Sequence, residues 1–113
     1  MICAKTFMSD LVSLNDRERA VVQVSPGTVW RVLWVTFGSS AGEGRNRGPF
    51  DFRVGGMLFD KLSLRMGPCH MEFRTPLIAY GGDEIAVVSS FDKPWFVVHV
   101  LEANPDEIER ILG

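Results

Sequence analysis

The chain has 113 residues, one domain by length, with 46% hydrophobic and 23% charged residues. A formal net charge of −2 and the absence of a basic block argue against nucleic acid as a partner. No run approaches the ~20 apolar residues of a membrane span, and the opening M-I-C-A-K-T-F is too short and too polar for a signal peptide.

Residues 1–14 mix apolar and polar positions without a helical period. Phe7, Met8, Leu11 and Val12 are too apolar for a solvated tail, so the segment is either an edge strand or an arm laid on a neighbouring molecule. Cys3 and Cys69 are far apart in sequence. Two separate thiols are expected, with a disulfide as the alternative, and a reducing cytoplasm is the expected site of synthesis. Residues 15–19 read as a charged turn and Ala20–Val24 as a short strand. Ser25-Pro26-Gly27 then makes a tight turn. It feeds the next strand directly, so the two strands flanking it are expected to pair antiparallel.

Val29 to Phe37 (V-W-R-V-L-W-V-T-F) organises the rest. β-Branched and aromatic residues fill it, and both alternating sets are mostly large and apolar. It reads as a long central strand, covered by a second sheet on one face and largely shielded on the other. Eight Phe and three Trp in the chain suit two sheets packed face to face. Residues 38–49 follow as a glycine-rich loop with Arg45 and Arg47 near its tip. A solvated crossover is the first reading of this loop and a binding loop the second. It lacks the phosphate-cradling pattern of a P-loop.

Phe50–Val54 alternates as a half-buried strand, Gly55-Gly56 breaks it, and an apolar run resumes at Met57. Lys61–Met66 and Cys69–Arg74 are expected as further strands, the second ended by Thr75-Pro76. Gly81-Gly82-Asp83 turns into a strand over Glu84–Ser89, and Trp95–Glu102 is the last strand. Residues 104–113 read as a short helix, with Asn104 as its cap, Pro105 in its first turn, and Ile108, Ile111 and Leu112 as its apolar stripe. The fold class is therefore all-β: an antiparallel β-sandwich, a jelly roll of about eight short strands over residues 15–103, with a C-terminal helix.

The chemistry-bearing residues are sparse. His70 and Glu72 share one strand face, and with Asp83 and His99 they faintly suggest a cupin metal site. However, the first cupin motif needs two histidines where this chain has one and Glu72, and the second is misspaced. Cys69 and His70 are neighbours on a strand and point to opposite faces, which does not favour a nucleophile–base pair. Acids such as Asp51, Asp60, Glu72 and Asp83 occur on the outer faces of any β-protein. No catalytic residue, metal or cofactor is assigned. Trp30, Trp95, or Tyr80 beside Asp83 offer rings on which a sugar could stack, although tryptophans in so small a sandwich belong first to the core.

Two segments resemble a group of small phage and prophage virion proteins. Ser25-Pro-Gly-Thr-Val-Trp-Arg-Val-Leu-Trp-Val-Thr-Phe37 is similar to the opening of their jelly-roll domains. Pro76-Leu-Ile-Ala-Tyr-Gly-Gly-Asp-Glu-Ile-Ala-Val87 is similar to a later turn, with an arginine-bearing loop between the two. The resemblance implies a non-enzymatic capsid decoration (cement) protein, commonly trimeric. It would be found on the virion after assembly in the host cytoplasm, with the major capsid protein or other virion subunits as partners. Phe7, Met8, Leu11, Val12, Arg45 and Arg47 are the expected contact residues. A carbohydrate-binding jelly roll of a virion surface or tail and a cupin-like metalloenzyme are the alternatives.

Overall fold

The computed structural model describes residues 2–14, 17–39, 50–62, 69–89 and 93–112. The described residues form an all-β sandwich of nine strands: β1 (Cys3–Met8), β2 (Asp10–Leu14), β3 (Arg17–Gln23), β4 (Val29–Ser39), β5 (Phe50–Val54), β6 (Met57–Leu62), β7 (Cys69–Tyr80), β8 (Glu84–Ser89) and β9 (Pro94–Ala103). One sheet has the order β1-β9-β4-β7 and the other β2-β3-β8-β5-β6. Every pairing is antiparallel. The pairs β5–β6, β4–β7, β3–β8 and β1–β9 are nested, each enclosing the one before it.

The core lies between the sheets. Ala20, Val22 and Val24 with Phe52, Ile85 and Val87 form one wall, and Trp30, Val32, Val35, Phe37, Phe96, Val98 and Val100 form the other. β3, β8 and β9 reach it by plain alternation, every second residue facing inward. β4 does not. It pairs Val32 with Val100 but Trp34 with His99, so Leu33 is an extra residue on its strand. This bulge shifts the phase by one. Before it, Trp30 and Val32 point inward; after it, Val35 and Phe37 do. Trp30 and Trp34 therefore lie on opposite faces of the sheet, although simple alternation puts them on the same one.

The bulge also explains why Pro76 does not end its strand, contrary to expectation. On β7, residues 73–76 lie opposite Leu33 alone, between the Val32–Leu77 and Trp34–Glu72 pairs. A proline there costs no ladder hydrogen bond, and β7 is an edge strand in any case. The chain thus runs through it to Tyr80.

The strands flanking Ser25-Pro26-Gly27 are not neighbours either. β3 belongs to one sheet and β4 to the other, so this turn carries the chain across the sandwich. Val24 and Trp30 then enter the same core from opposite walls, which burial favours over a hairpin with one face in water. Turns 25–28 and 80–83 are laced together by Val24 N–H to the Asp83 carbonyl, Gly82 N–H to the Val24 carbonyl and Gly81 N–H to the Thr28 carbonyl, at 2.8–3.0 Å. A Cβ on Gly81 would lie 2.8 Å from the Gly27 amide nitrogen, so the two turns meet only because residue 81 has no side chain.

Residues 2–14 supply edge strands to both sheets: β1 pairs with β9 and β2 with β3. The chain passes between them at Ser9, held by two 2.9 Å hydrogen bonds to the Phe96 backbone. At the other terminus a 3₁₀ turn (Pro105–Glu107) leads into α1 (Ile108–Leu112). The Glu107 carboxylate accepts the Asn104 N–H, at 3.3 Å. Ile108 and Ile111 pack on Val29, Leu101, Ala103 and Ile78, on the outer face of the four-stranded sheet. Arg31 Nη1 donates to the Ile111 carbonyl at 2.8 Å, placing a cation at the negative end of the helix. Among the described residues no helix is long and apolar enough to cross a membrane.

The bulge makes a specific prediction. Leu33→Ala, at a partly exposed position, should cost about 1 kcal/mol or less. Deleting Leu33 should also preserve cooperative urea unfolding and the near-ultraviolet dichroism of the packed rings. Trp34 would then follow Val32 directly, the two opposite His99 and Val100, and every later residue of β4 would keep its face.

Candidate functional site

Two regions bring chemistry-bearing side chains together, and both follow from the phase of β4. The first is at one end of the core. Trp30 is fully enclosed, with Phe7 stacked on it at 4.5 Å between ring centroids. Its indole Nε1 donates to Glu102 Oε2 at 2.7 Å, and Lys5 Nζ donates to Glu102 Oε1 at 2.7 Å. The carboxylate thus accepts from an indole inside the sandwich and from an ammonium at its rim, which satisfies the buried indole N–H. The Lys5 hydrogen bond, with a smaller contribution from the Trp30 N–H, holds the Glu102 carboxyl below its usual range. The Glu102 carboxylate in turn raises Lys5. The group closes one end of the core. Cys3, at the same end of β1, is a free thiol.

The second region is the outer face of the four-stranded sheet beyond the helix. After the bulge β4 turns Trp34, Thr36 and Gly38 outward, beside His99, Val97 and Trp95 of β9. Thr6 of β1 sits opposite His99, and Glu72 and His70 of β7 sit opposite Trp34 and Thr36. Trp34 stacks on His99 at 4.5 Å, and its ring lies 6.2 Å from that of His70. Thr6 Oγ1 is 3.1 Å from His99 Nδ1, and His70 Nε2 is 3.2 Å from Glu72 Oε1. The His70 and Glu72 side chains are 50% and 72% exposed. Trp95 rests across Gly38: a Cβ there would lie 2.6–3.0 Å from three atoms of its indole. Only glycine accommodates this ring.

The opposite outer face is of another kind. Arg19 pairs with Glu84, and Arg53 with Asp51 at 3.6 Å, around Val21, Ala86 and Val88. This is an ordinary wetted face laced with ion pairs.

The residues singled out from the sequence are dispersed. Phe7 belongs to the molecule's own core. Met8, Leu11 and Val12 are 69%, 48% and 42% exposed, on β1 and β2 where the edges of the two sheets meet. Arg45 and Arg47 lie outside the described residues. Trp30 presents no surface to a ligand. Tyr80 is exposed, but Asp83 beside it accepts the Tyr80 N–H at 3.1 Å and serves the turn. His70 and Glu72 do share a face, while His99 stands two strands away with Trp34 between. Among the described residues no three of His, Cys, Asp and Glu converge as a metal site would require. Sequence reasoning passed over Trp34, Thr36 and Gly38 as a surface, since nothing local marks the bulge that turns them outward.

Comparison with protein-family models, with curated proteins and with solved structures finds no match.

The Glu102 group has a pH signature. A carboxyl depressed in the folded state stabilises at neutral pH, and that contribution is lost as pH falls through the folded-state value. Lys5, raised in the folded state, gives a contribution that is lost as pH rises through its own folded-state value. Thermal unfolding of the wild type should therefore weaken at both extremes. Glu102→Gln should be less stable at neutral pH and should lose much of the difference in acid.

Proposed function

We propose that this chain is a non-enzymatic structural protein of a virion, a capsid decoration module that stabilises a shell by bridging neighbouring subunits. The observation that carries the reading is the exposure of three large apolar side chains, Met8, Leu11 and Val12, on two adjoining sheet edges. Edge strands carry unpaired backbone donors and acceptors, and soluble proteins ordinarily guard them with charge, proline or a covering element. Here three large apolar side chains stand on them beside the charges Lys5 and Asp10. Burial of each against a partner contributes roughly 1.5–3 kcal/mol before ordering costs. A copy held to two shell subunits at once then resists dissociation more than either contact alone.

Two further features support the reading. The nested pairing of β5–β6, β4–β7, β3–β8 and β1–β9 is the pairing expected of a jelly roll, the fold of the virion proteins that the two sequence segments resemble. Charged side chains on both sheets are joined in ion pairs, such as Lys5–Glu102 and Arg19–Glu84. The partner is then the major capsid protein or another virion subunit, and a homotrimer is the assembly the resemblance implies.

The test is co-sedimentation with shells assembled from the major capsid protein of the same genome. Wild-type protein should pellet with shells in a fixed ratio. Leu11→Asp combined with Val12→Asp should reduce binding at least tenfold while leaving the melting temperature within a few degrees, since both side chains are exposed. Wild-type protein that stays in the supernatant, or a double variant that binds like the wild type, would overturn the proposal.

A further inference from the structure

We propose that the outer face of the four-stranded sheet, beyond the C-terminal helix, binds a saccharide, with Trp95 as the stacking surface and Thr36, His70 and Glu72 as hydroxyl partners. This does not depend on the shell-binding reading, whose Leu11 and Val12 stand on β2; Met8, opposite Val97, borders the saccharide face.

Three arrangements on this face support it. Trp95 is laid across Gly38 and keeps part of its surface open. A broad ring resting on a sheet presents a face to the C–H side of a pyranose. Trp34 stands farther along the same strand, about 13 Å from Gly38 at ~3.3 Å per residue. It is held by its stack on His99, which the Thr6 hydroxyl meets in turn. Between the two indoles stand Thr36 and Val97, with Met8 of β1 opposite Val97. On the β7 side stand His70 and Glu72, largely exposed and 3.2 Å apart. A hydroxyl that bridges them meets a donor and an acceptor.

The same chemistry disfavours other occupants. Nucleic acid also stacks on tryptophan, but the Glu72 carboxylate and the net charge of −2 repel phosphate. A protein partner would bury His70 and Glu72 beside a floor interrupted by hydroxyls, and would lose their hydration without a matching set of partners. A polyhydroxylated ring supplies an apolar face and hydrogen-bonding edges together, as this surface does.

The experiment is a printed array of bacterial-surface, plant and animal oligosaccharides, followed by titration calorimetry with the strongest binder. The expected result is saturable binding to one structural class of glycan. Trp95→Ala should weaken it at least tenfold and Glu72→Gln about threefold, while Tyr80→Ala, at the helix end of the sheet, should leave it unchanged. Glu72→Gln alters an exposed side chain and keeps the fold, so it decides the matter if Trp95→Ala fails to fold. Absence of binding across the array, or wild-type affinity in Glu72→Gln and in a folded Trp95→Ala, would overturn the proposal. The Leu11→Asp/Val12→Asp variant should bind glycan like the wild type, so this proposal and the shell-binding one fail separately.

Discussion

A single extra residue in β4 sets the character of both faces of its sheet. Strand side chains alternate with a period of two, so an insertion of one exchanges inside for outside from that point on. With Leu33 accommodated as a bulge, Val35 and Phe37 complete the core and Trp34 is turned out beside His99. Were Leu33 held in regular alternation instead of bulged, Trp34 and Gly38 would face the second sheet. Val35 and Phe37 would face water, and no indole would lie across Gly38. The neighbouring strand absorbs the same irregularity with residues 73–76, which is why a proline survives within it.

The two sheets divide the work between them. The five-stranded sheet has an outer face of ion pairs, Arg19–Glu84 and Arg53–Asp51, suited to water. The four-stranded sheet has an outer face that water alone would solvate poorly. At one end the C-terminal helix covers it, fixed by Ile108, Ile111 and the Arg31 hydrogen bond. At the other end the rings cover one another, Trp34 against His99 and Trp95 across Gly38. The N-terminal edges add a third surface of distinct chemistry, aliphatic rather than aromatic. The partly buried carboxylate of Glu102 closes one end of the core, held by Lys5 and the Trp30 indole.

Much of the architecture is legible in the chain. The β-rich composition, the turns at Pro26-Gly27 and Gly81-Gly82, the alternation of Phe50–Val54 and the capped terminal helix each rest on local preferences that tertiary contacts do not reverse. The residues of a surface are another matter. Phe7 reads as a contact residue of an edge strand or arm because its neighbours are mixed, yet it stacks on Trp30, which is close in space and remote in sequence. Ser25–Gly27 reads as a hairpin turn because most short turns between strands are hairpins, and a crossover between sheets has the same local chemistry.

Local sequence by itself determined that this chain is an antiparallel sandwich with bulky rings inside and a helix at its end, because periodicity and turn chemistry act over a few residues. Tertiary structure alone decided which sheet each strand joined, where the register slipped, and which of the three tryptophans remained at the surface. Those outcomes depend on pairing between distant strands, where one displaced residue inverts every side chain after it and nothing nearby in the chain announces the displacement.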